Sequence, residues 1–166
     1  MLIKSQYELK LRIMRILLVV SIFTFMTVLS CKNSDSYLTD NSDFVIKAGF
    51  ICGWGAGEDS IEISQTGIKY VYYVPRQSQK PQITKSRSIS GSEWIEILKA
   101  VNMDDFVKLD YQTCNVCFDG CDEWIFIEKD KVSHEIRFDK GATIDTISKL
   151  QLKLRQLRAE FHPQLK

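Results

Sequence analysis

An uncharged apolar run, Ile16 to Cys31 (ILLVVSIFTFMTVLSC), constrains this chain more than any other stretch, because it decides how much of the sequence is left to fold. The residues before it carry Lys4, Lys10, Arg12 and Arg15 against a single Glu8, the charge pattern of a secretory leader. The run matches the roughly 7–15 residues of a signal-peptide core and falls short of the roughly 20 that cross a bilayer. A signal peptide over residues 1–30 is therefore expected, with Met14-Arg15 as an alternative start that already supplies an adequate basic lead-in. Residues 31–43 begin with Cys31 and continue polar through Lys32-Asn33-Ser34-Asp35-Ser36, so they bury too little to fold and read as a tether. Residues 44–166 then make a single domain.

Val28-Leu29-Ser30-Cys31 resembles a bacterial lipobox, in which an aliphatic residue, a further residue and a small residue precede the cysteine that becomes lipidated. Leu29 stands where Ala, Ser or Thr is more usual. The resemblance implies a lipoprotein in the bacterial cell envelope, on the outer membrane rather than the inner. Its partner there is the membrane itself: acyl chains such as palmitate on Cys31 bury hydrocarbon at about 0.8 kcal/mol per CH₂.

Past the leader about 135 residues remain, enough for one hydrophobic core. The formal net charge of +1 offers no field to attract nucleic acid. Four cysteines remain, Cys52, Cys114, Cys117 and Cys121, and outside the cytoplasm an even number favours disulfides, with three pairings possible.

Residues 44–51 have strand composition. The glycine-rich Cys52–Gly57 follows them, but it leads into the alternating Ser60–Ser64 and not into a helix, so it is turn geometry and not a phosphate cradle. Ile61–Val74 should be a hairpin about Gln65-Thr66-Gly67. Arg76–Ser90 is polar and basic and is expected to be a solvated loop. Ser90 to Glu93 fits a capping box for a helix that turns Trp94, Ile95, Leu98 and Val101 inward. Met103–Tyr111 is an irregular crossing or a short strand that keeps Phe106 and Leu109 for the core. A second hairpin, Glu123–Glu128 with Val132–Phe138, precedes a helix capped by Thr143 with Ile144, Ile147, Leu150, Leu154, Leu157 and Phe161 on one side. The expected fold class is α+β, an antiparallel sheet of about five strands with two helices on one face.

Cys114 to Trp124 (CNVCFDGCDEW) admits several readings. Structural disulfides suit the compartment and the Asp-Gly turn. A reactive Cys114–Cys117 dithiol needs a lowered thiol pKa, which Asp119, Asp122 and Glu123 oppose. Zinc on Cys114, Cys117 and Cys121 with Cys52 or His134 needs reduced thiolates, and calcium on the three carboxylates lacks alternating oxygen ligands. The same stretch resembles small uncharacterised envelope lipoproteins of the Bacteroidetes type, in which a Cys-x-x-Cys and an Asp-Gly precede Glu-Trp-Ile; here Cys121 replaces a small residue. That resemblance implies location and fold more than activity. It also implies Cys114–Cys117 as the shared pair, which leaves Cys121 to Cys52.

Catalysis has little to work with: His162 ends the last helix, His134 lies on an apolar strand face as a hydrogen-bonded core residue, and no hydrolase or nucleotide-binding motif occurs. No cofactor is expected. The functional expectation is a non-catalytic, inhibitor-like binding module that presents Trp54, Tyr70, Tyr72, Arg76, Lys80, Lys85 and Arg87 to a protein or an envelope polymer. The alternative is an envelope thiol-redox or metal-binding protein using Cys114 and Cys117.

Overall fold

A computed structural model describes residues 44–55, 57–75 and 79–162, all within the second of the chain's two units, Asp40–Lys166. The expected leader, Cys31 and the tether lie outside the described residues, as does Arg76.

Six antiparallel strands form one open sheet: β1 (Val45–Cys52), β2 (Glu58–Ser64), β3 (Gly67–Tyr73), β4 (Ile83–Ser88), β5 (Cys121–Lys129) and β6 (Val132–Asp139), in the order β4-β3-β2-β1-β5-β6. Among the described residues three helices go with them, α1 (Gly91–Lys99), α2 (Met103–Phe106) and α3 (Ser148–Phe161). The α+β class is as expected, while five strands become six and two helices become three. The added strand, β4, falls in the segment expected to be a loop. Its ITKSRS sequence lacks apolar alternation because it is the outermost strand, paired to β3 from Gly67↔Ser88 to Tyr72↔Ile83. The added helix is a single turn in the expected crossing, capped by Asn102, whose Oδ1 accepts the Asp105 N–H at 3.3 Å.

Register sorts the side chains. Ile46 stands opposite Ile63 and Ile127, and Ala48 opposite Ile61 and Ile125, so these residues share one face, joined by Ile68, Tyr70 and Ile136. The helices cover that face: Trp94 and Ile97 from α1, Phe106 from α2, and Leu150, Leu154, Leu157 and Phe161 from α3 enter the same core. Within α1, Ile97 takes the buried place expected of Ile95, which is half-buried. Ser90 does cap α1, its Oγ accepting the Glu93 N–H at 3.2 Å.

Thr143 does not cap the last helix. A 3₁₀ turn over Asp145–Ile147 precedes α3, and buried Gln151 holds the approach by accepting the Ile144 N–H and donating to the Ala142 carbonyl, at 2.8 and 3.2 Å. Asp130 and Lys131 both have positive φ, 51° and 66°, as a two-residue type I′ hairpin requires. Beyond β6, Tyr111–Thr113 forms a strap on Arg137: the Arg137 N–H donates to Tyr111 at 2.8 Å and the Thr113 N–H to Arg137 at 3.0 Å.

Candidate functional site

The end of the sheet where β1 finishes and β5 begins holds both cystines. Cys52 and Cys121 are register partners and are disulfide-bonded; Cys114 and Cys117 form the second bond, across a 3₁₀ turn at Asn115–Phe118. Both pairs are those implied by the resemblance. Two loops meet here. Gly53 donates its N–H to the Gly120 carbonyl at 3.0 Å, and a Cβ on Gly53 would stand 2.7 Å from the Val116 carbonyl oxygen, so only glycine permits the approach.

The second loop is organised by Asp122, which is fully buried. Its carboxylate accepts from the Thr113 hydroxyl (2.8 Å), the Asn115 side-chain amide (2.8 Å) and the Val116 N–H (3.2 Å). Burial pushes this carboxyl up, but the donors more than offset it and hold the group below the usual carboxylate range. On the rigid frame so formed, Trp54 is 70% exposed and Phe118 is 88% exposed. Cys114 and Cys117 are also exposed.

The residues expected to bind a partner are dispersed. Trp54 stands outward, as does Lys80. Tyr70 is corrected: with 0% exposure it stacks on Phe161 at 5.6 Å, because β3 register turns it toward α3. Tyr72 shares that face and is half-buried, edge-on to His162 at 5.7 Å. Lys85 donates to the Phe161 carbonyl at 2.9 Å, and Arg87 makes a two-pronged pair with Glu93, at 2.7 and 2.8 Å, and reaches Glu160 at 2.9 Å. These two cations therefore fasten β4 to the helices. Phe118 went unremarked in the sequence. Its signal was an aromatic residue confined between a half-cystine and an Asp-Gly turn, in a loop too short to bury it.

Buried charge concentrates beneath the same end. Asp59 pairs with Arg158 at 2.7 Å, Glu123 with Arg155 at 2.7 Å, and Arg158 lies 5.2 Å above the Phe50 ring. Burial holds the Asp59 carboxyl above its ordinary range, against the opposing pull of Arg158. A cavity of about 10 Å³ among Ala48, Glu123, Arg155 and Arg158 is barely the space of one water. On the opposite face a 90 Å³ groove between Lys47, Glu62, Lys69 and Trp124 is well below the roughly 300 Å³ of a small-molecule site. His134 is bonded through Nε2 to the Leu109 carbonyl at 2.8 Å and packs edge-on against Phe106. With all four sulfurs joined in pairs, none is present as a thiolate for the expected zinc alternative. No family model matches the chain, and no match emerges among curated proteins.

Proposed function

We propose that this chain is a non-catalytic binding module, tethered to the bacterial envelope through a lipid on Cys31, that engages a protein partner with the aromatic tips of its cystine end. The exposure of Trp54 and Phe118 on two interlocked loops carries the reading. Rigid aromatic side chains offer large contact area at little ordering cost, and such residues dominate binding energy at interfaces. The buried titratable groups support it as well. Asp59 and Glu123 are paired with arginines, Asp122 holds three donors, and His134 is committed to a backbone carbonyl, so each already has a structural partner.

The tether joins the domain at Phe44, one strand length from these tips. That is about 26 Å at 3.3 Å per residue. A photo-crosslinking amino acid at position 54 in the full chain should yield an adduct of discrete mass in intact membranes, and the same probe at Thr66, in the opposite turn, should not. Equal adducts from both positions, or none from position 54, would overturn the proposal. Mass spectrometry of the processed amino terminus should find acylated Cys31, and an unmodified terminus would remove the tether.

A further inference from the structure

We infer that Cys114–Cys117 is a thiol-exchange site that accepts two electrons from a dithiol, while Cys52–Cys121 is a permanent cross-link. Both residues of the first pair are exposed, and of the carboxylates that oppose a thiolate here Glu123 is paired with Arg155 and Asp122 with three hydrogen-bond donors, which leaves the exposed cystine open to an attacking thiolate. Cys52 is 5% exposed and Cys121 half-buried, which shields the second pair.

The loop around the exposed cystine does not depend on it. Asp122 holds Thr113, Asn115 and Val116, the Gly120 N–H reaches the Asn115 carbonyl at 2.7 Å, and Gly53 clamps Gly120 from the neighbouring loop. None of these bonds involves sulfur. The pair also spans three positions, against 69 for the other, so opening it releases little chain. The loop should therefore keep its shape in both states, with the two thiols held ready to close again.

The reaction balances as ordinary exchange. One thiolate of the incoming dithiol attacks a sulfur of the Cys114–Cys117 bond, forms a mixed disulfide and expels the other cysteine as thiolate. The second thiol of the incoming molecule, as thiolate, then displaces the remaining cysteine and closes its own disulfide. The incoming molecule is oxidised by two electrons, and Cys114 and Cys117 leave as a dithiol carrying its two protons. This inference does not rest on the proposed protein partner, because a small dithiol suffices to test it.

Full-length protein in detergent, titrated with dithiothreitol and then alkylated, should label Cys114 and Cys117 at reductant concentrations at least about ten-fold below those that label Cys52 and Cys121. The tryptophan bands of the near-ultraviolet circular dichroism, set apart from the cystine's own contribution, should stay unchanged across that first step. Labelling of all four residues together, or loss of the dichroism as the first pair opens, would overturn the inference. Asp122→Asn should slow re-closure of the reduced pair about ten-fold by loosening the loop, and Thr113→Val should do so in the same direction if the first variant folds poorly. An unchanged re-closure rate in a folded variant of either kind would remove the preorganised loop from the account.

Discussion

At the end where the chain enters β1, the β2–β3 and β5–β6 pairs are closed by Gln65-Thr66 and Asp130-Lys131, whereas at the other end β1 and β5 finish on half-cystines and run into loops that grip each other. The buried carboxylates follow the same division. Glu123 and Asp59 both register with Phe50, and Asp122 with Ile51, so all three sit beside the last residues of β1 before Cys52. One end is specified by neighbours in sequence and the other by partners far along the chain. The difference shows where the domain spends order on something other than folding, since ion pairs, cystines and hydrogen-bonded loops hold a particular surface in place and a pair of tight turns would have closed the sheet as well.

The contrast should be visible in stability. Replacing Cys52 and Cys121 together by alanine should cost about 4 kcal/mol on the chain-entropy account, against about 2 kcal/mol for Cys114 with Cys117. Urea unfolding measures both, and the reverse order would break the comparison. Arg158→Met leaves Asp59 buried without its cation and should cost about 3 kcal/mol; a neutral result would mean that the ion cluster is not what holds α3 to β2. Gly49→Ala should cost about 2 kcal/mol, because the added Cβ would stand 2.1 Å from the Asp59 carbonyl oxygen and 3.0 Å from Trp124 Nε1.

Acid should divide the carboxylates at the cystine end. Folding holds Asp122 below its ordinary value of 3.8, so its contribution is full above that pH and is lost as pH falls through the lower folded value. Asp59 is held above 3.8, so it opposes folding as pH rises through that interval, and acid relieves it. Between about pH 6 and pH 3, Asp122→Asn should therefore lose less stability than the parent chain and Asp59→Asn more, read from urea midpoints. The smallest effect belongs to the plain end: Lys131→Gly, at φ 66°, should stabilise the hairpin by about 0.5 kcal/mol, since glycine adopts that backbone without strain.

How far the sequence could be read follows the same line. Alternation and turn residues sufficed for β1, the β2–β3 hairpin and the β5–β6 hairpin, and helical spacing sufficed for α1 and α3. It failed at β4, where Lys85 is satisfied by Phe161 and Arg87 by Glu93 together with Glu160, two of these partners lying more than 70 positions away. Tyr70 was legible in part, because Ile68, Tyr70 and Tyr72 alternate on one face. That this face was the covered one depended on α3, which no local pattern in β3 reveals. Phe118 and the hub at Asp122 were hidden because a loop held by side-chain hydrogen bonds has no period to detect.

Inward-pointing Lys85 and Arg87 on β4, and the Tyr111–Thr113 strap laid along β6, have one more consequence. A sheet bounded in this way offers poorer pairing to another copy of itself, since an approaching strand meets cations on one margin and, on the other, finds the Arg137 backbone and the Glu135 carbonyl already engaged. Molecules packed densely side by side should therefore resist zipping into fibres through the margins of their sheets.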